Sequence, residues 1–524
     1  MERLETAHSR LPKGSPWLGG TALLTAFLWL CDMASGVNLY DGAWFLHLLD
    51  GVSRGDALYA DRFYGVLPLA VWAGVPGVIA VGSQIAVVKA LYATSAAAAA
   101  VLAAFVARRL GIGLAGQALV VLASIAYLDA PSYSPYKQMA ATFQIAAMAA
   151  LVVWTQSAGP AAARTMLLLA GAAAGLSISS KHTFGAVTLV AVLAVVLICR
   201  EGRDRRAGAR LRDAGIVIVP AVAVPALTLL PVALAGDLGD FWRYAIVKSN
   251  YTEYASYSYL DEFEALGDHF GLPPPDWTLF LRHLGSLAAP LALVALLVAF
   301  RRKAEWLILA SFTVAAIAGN WPRVALPLAI PVCSVAIAWS ARELGAGLSS
   351  TLRRFALLGA ASLLAVSVGL SLLQPGVRAV RDGYGISELE HHAGVPVEPE
   401  LARAAGSVAG GLARVDRGED RTLLLSPHAS LLYLLSDLRS PTRHDYPLIT
   451  TFRNGDLAEL ELSIRAGEIR RVCIGYQGTG RLRPAELESW VRSRLAKGER
   501  IAPPGGGPYD RLGCRVYRRS SSGD

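Results

Sequence analysis

Charged side chains are scarce in this sequence. Asp, Glu, Lys and Arg supply 17% of its 524 residues, whereas a soluble globular domain contains roughly 25%. Hydrophobic residues supply 54%, and the mean hydropathy is +0.43. Apolar stretches of about 20 residues, long enough to cross a bilayer as helices, recur between residues 17 and 374. These features exclude an ordinary soluble protein and predict a polytopic α-helical membrane protein.

The sequence has little or nothing of three further features. The first apolar run, Trp17 to Cys31, has no small-residue cleavage site before Asp32, so we expect a retained helix rather than a signal peptide. No internal repeat like those of many secondary transporters is present. Cysteines number only five. Two of them, Cys473 and Cys514, lie in strand-like runs of the polar C-terminal part, and they could pair if that part is extracytoplasmic.

The positive charge of the chain, +9 at neutral pH, is arranged as a topology signal. Cations lie mainly in short loops between apolar stretches, which argues against nucleic-acid binding and places those loops in the cytoplasm. The clearest case is the loop after Cys199, with Arg200, Arg203, Arg205, Arg206, Arg210 and Arg212. Counted from a cytoplasmic N-terminus, the rule is met by about eleven transmembrane helices, with residues 41–84 forming interfacial helices in the first outer loop.

The composition divides the chain into two parts. Residues 1–375 form the predicted transmembrane domain, and residues 395–524 form a small α/β domain that the charge count places on the extracytoplasmic side. In the second part we predict strands at Thr422–Leu425, Arg471–Tyr476 and Gly513–Arg518 and helices at Ser430–Asp437 and Pro484–Ala496. No catalytic motif occurs there, so we expect this part to act as a lid or a docking surface.

Ionisable residues cluster at the predicted outer ends of the spans, where their cost makes them functional candidates. The set consists of Asp41, Asp129, Lys137, Lys181, His182 and Arg323. Each residue alone could simply flank a helix at the interface. Together they suggest a carboxylate that acts as general base while cations neutralise a leaving phosphate. A polyprenyl-phosphate sugar, with its membrane-buried tail, fits such a site.

Three segments carry a resemblance to a known family. They are Asp41-Gly42-Ala43-Trp44-Phe45 followed by a Gly-x-x-x-Tyr-x-Asp turn at residues 55–61 and Leu67-Pro68-Leu69, then Ser179-Ser180-Lys181-His182-Thr183-Phe184-Gly185, and then Trp321-Pro322-Arg323 through Pro331. In this order they resemble the GT-C membrane glycosyltransferases, in the protein mannosyltransferase and aminoarabinose transferase-like branch (glycosyltransferase family 39-like). The chain departs from that pattern at Leu67, often proline in the family, at His182, which replaces Gln, and at Phe184, which is inserted.

The resemblance implies inverting transfer of a sugar from a polyprenyl-phosphate donor, at the outer face of a bacterial inner membrane, to an extracytoplasmic glycan, lipid or protein. It implies that Asp41 is the general base. The candidate substrate-binding residues are Asp129, which matches the family only loosely, Lys137, Lys181, His182, Arg323, Tyr59, Asp61 and Arg243. Some members of the class use a divalent metal, but this branch need not, so we expect no obligatory metal or other cofactor.

Two other functions use the same features differently. A transporter or flippase of lipid-linked sugars would place charges at mid-span and on both leaflets, whereas here they lie chiefly near one. A non-catalytic assembly protein would leave the segment around Asp41 free to vary. The aromatic stretch from Phe241 to Tyr259 fits either sugar stacking or an interfacial belt. The sequence leaves the sugar, the polyprenol and the acceptor open.

Overall fold

The structure, a computed structural model, describes residues 15–36, 41–126, 135–199, 207–247, 288–300, 303–319, 328–344, 389–425, 429–445, 454–474, 495–500 and 513–516, with scattered positions elsewhere. The first part of the chain is helical. Its helices are α1 (Ser15–Ala34), α2 (Asp41–Ser53), α3 (Leu69–Val81), α4 (Ile85–Arg109), α5 (Leu114–Ala126), α6 (Pro135–Thr155), α7 (Pro160–Ser180), α8 (His182–Ile198), α9 (Ala207–Ala235), α10 (Leu238–Phe241), α11 (Ala288–Val298), α12 (Ala304–Gly319) and α13 (Ile330–Leu344). A π-helical turn, Trp242–Val247, follows α10.

The helices identify a membrane protein. Among the described residues α4, α6, α7 and α9 are long and apolar enough to cross a bilayer, and α1, α3, α5, α8, α11 and α12 are shorter apolar helices. Large apolar side chains are exposed on their outward faces, for example Leu227 at 66% and Leu297 at 69%, as expected of surfaces that face lipid. The predicted count of about eleven spans stays a prediction, because the last predicted span, from Arg353 to Leu373, lies mostly outside the described residues.

Small residues bring the helices close together. A large buried cluster contains Ala99 and Ala103 of α4 and Ala147 of α6, together with apolar residues of α7, α8, α12 and α13. Gly175 of α7 lies against α9, where an added Cβ would be 3.0 Å from the carbonyl oxygen of Pro220. Because lipid tails are as apolar as the side chains, such close van der Waals contact is a main source of helix association in a membrane.

Residues 41–84 contain two short helices. α2 and α3 have 13 residues each and therefore extend about 20 Å, less than the roughly 30 Å hydrocarbon core. Every residue from Ala43 to Gly51 of α2 is buried, and its apolar side chains pack against residues 58–71. Pro76 lies inside α3. The interfacial placement of this segment stays a prediction, because α5, which belongs to a predicted span, also has 13 residues.

The C-terminal part contains a sheet with helices. Its elements are β1 (Gly385–Ile386), β2 (Pro396–Val397), α14 (Pro399–Asp416), β3 (Thr422–Leu425), α15 (Ala429–Ser436), α16 (Asn454–Ala466), β4 (Arg471–Ile474), β5 (Ala496–Arg500) and β6 (Gly513–Val516). The larger sheet has the order β3-β4-β6-β5, with β3 parallel to β4 and the other pairs antiparallel. One apolar cluster joins α14 and α15, and another joins α16 to β3 and β4. The sheet therefore has its own core.

Most of the elements predicted here are confirmed. The three predicted strands are β3, β4 and β6, and the predicted helix Ser430–Asp437 is α15. The predicted helix Pro484–Ala496 lies mostly outside the described residues. Strand β5 was not predicted, because its sequence, Ala-Lys-Gly-Glu-Arg, has no apolar alternation.

One cysteine of the sheet is oxidised. Cys473 in β4 is disulfide-bonded, and Cys514 in β6 is the residue directly opposite it in the antiparallel pair. Cys31 and Cys333, within the apolar helices α1 and α13, are free thiols. Disulfides persist in oxidising compartments and are rare in the cytosol. A disulfide is therefore what the predicted extracytoplasmic position of the sheet leads us to expect.

Candidate active site

Asp41 is the first residue of α2. A carboxylate in the first turn of a helix is favoured by the helix dipole. Asp41 has intermediate exposure to solvent, and the residues that follow it are buried. Burial raises the pKa of Asp41 above its usual value, and the nearby Lys137 ammonium opposes that shift. The carboxylate is therefore partly desolvated and has a cation beside it.

Two of the predicted cations, Lys137 and Lys181, are linked to this carboxylate through electrostatic interactions of Lys137. Lys137, near the start of α6, interacts electrostatically with Asp41 and also with Lys181. Lys181 is the single residue between α7 and α8, outside both helices. Burial lowers the pKa of Lys181 to about 7, and the charge of Lys137 contributes to that shift. Lys137 thus interacts electrostatically with two charged groups that come from separate parts of the sequence.

The position of Lys181 follows from a tight connection between α7 and α8. The residue has an extended backbone, φ −149° and ψ 106°, and its carbonyl accepts a hydrogen bond from the Gly185 N–H at 3.0 Å. A Cβ on Gly185 would overlap the backbone of Ile178 in the preceding helix. His182 is the first residue of α8. The Ser-Lys-His-Thr-Phe-Gly stretch is therefore a helical hairpin that depends on its glycine.

Aromatic side chains support the segment that follows α2. Tyr64 stacks on Trp44 with ring centroids 6.1 Å apart and meets Tyr136, the neighbour of Lys137, edge-on at 6.1 Å. Tyr59 is fully buried, has a positive φ of 77°, and donates its hydroxyl hydrogen to the carbonyl of Val66 at 2.7 Å. Tyr59 thus makes contacts that hold this segment together, and its predicted role in substrate binding stays a prediction.

Asp61 closes the turn and lines a polar cavity. Its Oδ2 accepts a hydrogen bond from the N–H of Ala57 at 2.8 Å. The cavity, of about 470 Å³, lies between this turn and the C-terminal part and is lined by Asp56, Ala60, Asp61, Arg62, Arg439, Ser440, Pro441, Thr442, Arg443, His444, Asp456, Glu459, Leu460 and Ser463. Sites for small molecules often occur where two parts of a fold meet.

Arg243 lies on the π-helical turn and pairs with the C-terminal part. Its Nη2 is 3.0 Å from Oε1 of Glu459 in α16, and both side chains are 43% exposed. Its guanidinium also lies over the ring of Tyr244 at 5.4 Å. The contacts of Arg243 are thus with residues around the polar cavity, and its predicted contact with donor phosphate stays untested.

Comparisons with known proteins place this geometry in a fold. No protein-family model and no curated protein matches the sequence. Solved structures of ArnT from Cupriavidus metallidurans are similar: the apo state has a TM-score of 0.60 at 14% identity, covering 96% of this chain and 98% of that chain. The form bound to undecaprenyl phosphate has a TM-score of 0.59 at 14% identity, covering 98% and 100%. The protein has the GT-C fold.

A more distant GT-C structure is also similar. The oligosaccharyltransferase of Archaeoglobus fulgidus, in complex with Zn and sulfate, has a TM-score of 0.50 at 11% identity, covering 86% of this chain and 68% of that one. At such identities the likeness concerns the fold alone. Among the described residues of this chain, no group of three or more His, Cys, Asp or Glu is arranged to hold a metal ion. The expectation that no metal is required stays a prediction.

The described part of this GT-C fold omits some predicted residues and contains others that were not predicted. Asp129 and Arg323 lie outside the described residues, as do the tyrosines after Val247. His47, Arg62 and Asp445 form a buried polar group that the sequence did not predict. Asp445 is far in sequence from His47 and Arg62, and His47 and Arg62 lie among several other charged residues of the segment 41–64, so no local signal singled them out.

A buried ion pair between spans was also missed. Lys89 of α4 places its Nζ 3.2 Å from Oδ1 of Asp32 in α1, and both side chains are less than 8% exposed. Isolated charges in a bilayer are expensive, so they are usually paired. This pair joins α1 to α4 inside the GT-C bundle.

Proposed function

We propose that the protein is a membrane glycosyltransferase that moves a sugar from a polyprenyl-phosphate donor to an extracytoplasmic acceptor, with Asp41 as general base. The observation that carries the proposal is that Lys137 interacts electrostatically both with Asp41 and with Lys181, and that the three groups come from separate segments of the GT-C fold. The similar structure of ArnT bound to undecaprenyl phosphate supports the class of donor. The membrane part, residues 1–375, would carry the catalytic group, and residues 395–524 would form a separate outer domain.

The chemistry assigns the carboxylate to the acceptor. An acceptor hydroxyl oxygen attacks the anomeric carbon, its proton passes to Asp41, and the bond between that carbon and the phosphate oxygen breaks with inversion. A general base is most effective when its pKa lies close to the working pH. Burial raises the pKa of Asp41 and so favours proton uptake by this carboxylate.

The cations are assigned to the leaving group. Departure of polyprenyl phosphate leaves a dianion where the donor carried one negative charge, so positive charge at that oxygen stabilises the transition state. Lys137 interacts electrostatically with Asp41 and with Lys181, and we assign both ammonium groups to the phosphate. Since Lys181 has a pKa of about 7, a bound phosphate would favour its charged form. His182, beside Lys181, is the next candidate for contact with phosphate.

The proposal includes the outer face of a bacterial inner membrane as the site of the reaction. The cation-rich loops between spans are expected in the cytoplasm, and Asp41 falls on the opposite side. The disulfide at Cys473 agrees with an oxidising compartment for the C-terminal part. The polar cavity between the 56–62 turn and the C-terminal part would then open toward the acceptor.

The test is a transfer assay with the purified protein. It is incubated with a panel of polyprenyl-phosphate sugars and mixed envelope glycans, and release of polyprenyl phosphate is measured. We expect release with at least one donor, and a loss of at least about 100-fold in the Asp41→Asn variant. Glu468→Gln, at an exposed position, serves as the matched control. Absence of release with every donor, or near-normal turnover of Asp41→Asn, would contradict the proposal.

A further inference from the structure

The C-terminal part reaches into α2 through a buried pair. Nδ1 of His47, on the second turn of α2, is hydrogen-bonded to Oδ2 of Asp445. The two residues are 2% and 3% exposed, and 398 positions separate them in the sequence. The ring of Tyr433 in α15 stacks on the His47 ring, with centroids 5.4 Å apart and planes within 9° of parallel. The imidazole is therefore held both at its edge and on its face by the C-terminal part.

Arg62 extends this pair into a chain of charges. Its Nη1 is 3.3 Å from Nε2 of His47 and 3.8 Å from Oδ2 of Asp445, and its Nη2 is 2.7 Å from Oδ2 of Asp56. Arg439 of the C-terminal part closes the chain with Nη1 3.2 Å from Oδ1 of Asp56. This series of charged groups thus begins at Asp445 and ends at Arg439, both in the C-terminal part, and passes through Arg62 and Asp56 of the segment after α2.

Burial separates this contact from ordinary surface pairing. Asp and Arg side chains are almost never fully buried unless paired, and loss of one partner leaves a desolvated charge behind. If α2 moved away from the C-terminal part, His47 and Asp445 would both lose their hydrogen-bond partner while still buried. Arg54 and Asp437 connect the same two segments at 2.7 Å, but Asp437 is 76% exposed, where ion pairs contribute little.

The backbone of α2 is fitted to the same chain. A Cβ on Gly51 would lie 2.6 Å from Nε of Arg62 and 2.7 Å from Oδ2 of Asp56, so only glycine allows the guanidinium to lie against the helix. α2 is thus fixed at Gly51 and at His47. Asp41 lies six residues before His47 on the same helix, about 9 Å along its axis. A tilt or rotation at His47 therefore moves Asp41.

We infer that the His47 and Asp445 pair makes the C-terminal part a positioning element for Asp41, holding the carboxylate against the acceptor. His47 and Asp445 are positioning residues, and neither touches the reacting atoms. This inference rests on the proposed function, since it takes Asp41 as the base. It predicts that the pair governs turnover more than donor binding, because the cations that hold phosphate come from α6 and from the hairpin between α7 and α8.

The test uses the full-length protein in detergent or nanodiscs, with His47→Ala, Asp445→Ala, Asp445→Asn and the double alanine variant. Two quantities are measured: steady-state kcat and donor KM, and hydrogen exchange of the α2 amides. The control is Asp437→Asn, which removes the exposed pair between the same segments. Elution as a single species and thermal unfolding report whether each variant is folded.

We expect each alanine variant to lose about 10- to 100-fold in kcat, the scale expected for displacement of a catalytic group by about 1 Å, with donor KM unchanged and faster exchange in α2. Asp445→Asn, which keeps an acceptor for His47, should retain most of the turnover. The double variant should lose no more than either single one, because the two residues act through one contact. Asp437→Asn should match the wild type.

Other results would overturn the inference. Unchanged exchange in α2, kcat within twofold of wild type in Asp445→Ala, or a fall in kcat that only follows the loss of folded protein would each do so. If the wild type releases no polyprenyl phosphate from any donor, the proposed function fails first. In that case the exchange of α2 decides alone: faster exchange in the alanine variants supports a positioning contact, and unchanged exchange excludes it.

Discussion

Gly185 of α8 and Ile178 of α7 approach so closely that a Cβ on the glycine would overlap the backbone of the isoleucine. The contact lies within one turn of Lys181, the only residue between the two helices. The hairpin that presents Lys181 to the candidate site therefore depends on the absence of one methyl group.

Gly185→Ala should open this hairpin. Overpacking against a backbone costs about 1–3 kcal/mol or more, and the strain should displace Lys181, so we expect a lower unfolding temperature and weaker donor binding. The control is Gly208→Ala in α9, where a Cβ would meet no atom within 4 Å. That variant should be unchanged or slightly more stable. Equal stability of the two variants, measured by thermal unfolding in the same detergent, would contradict the prediction.

Asp41→Asn should abolish transfer without destabilising the protein. Because burial raises the pKa of Asp41, folding favours its protonated form, and the stability that this carboxyl contributes is lost as pH rises through the folded-state pKa. An asparagine carries no charge at any pH. At neutral pH the variant should therefore be as stable as the wild type or more stable, and the difference should shrink as pH falls. A variant markedly less stable at pH 7 would indicate that the ionised carboxylate holds the fold together.

Donor affinity should depend on pH through Lys181. The donor phosphate is a diester that keeps one negative charge over the neutral range, so a change in affinity reports on the protein. Since the pKa of Lys181 is about 7, the ammonium loses its proton as pH rises through that value, and affinity should fall between pH 6 and pH 9. Lys181→Met should bind weakly with a flatter profile. The control is His182→Gln, which leaves Lys181 in place. Its donor affinity should fall with pH as steeply as that of the wild type.

The disulfide of Cys473 should involve Cys514 and stabilise the sheet. Closure of a loop of about 40 residues contributes roughly 4 kcal/mol in the chain-entropy model, so Cys473→Ser should lower the unfolding temperature of the C-terminal part. The control is Cys333→Ser, at a buried free cysteine among the spans. It should leave the unfolding temperature of the C-terminal part unchanged. Non-reducing peptide mapping gives the direct measurement. A free thiol at Cys473 in protein taken from the membrane would refute the pairing.

The sequence predicted those features that leave a local signal. Apolar length indicated the helices, and short strand-like runs indicated β3, β4 and β6. The placement of Asp41, Lys137 and Lys181 on one side of the membrane, which rests on the distribution of arginines, stays a prediction. Lys137 interacts electrostatically with both of the other groups, as expected of groups at the same end of neighbouring spans.

The features that were missed are set by contacts between distant residues. His47 and Asp445 belong to no sequence motif, and the residues next to each of them in the sequence do not indicate that the two are paired. Gly51 resembles any other helical glycine in the sequence, and only the fold brings Arg62 against it. Lys89 interrupts an apolar run, and only the packing of α1 on α4 pairs it with Asp32. Burial and pairing of this kind depend on the folded arrangement rather than on local sequence.

The 398 residues between His47 and Asp445 also set an order in time. At a synthesis rate of about 5–20 residues per second, α2 reaches the membrane roughly 20–80 s before the carboxylate that completes its pairing. During that interval nearly all of the membrane part is synthesised, and the imidazole of His47 has no Asp445 carboxylate to pair with. The candidate catalytic helix is therefore finished last, although it is among the first segments to leave the ribosome, and a chain truncated before Asp445 would carry Asp41 without the contact that orients it.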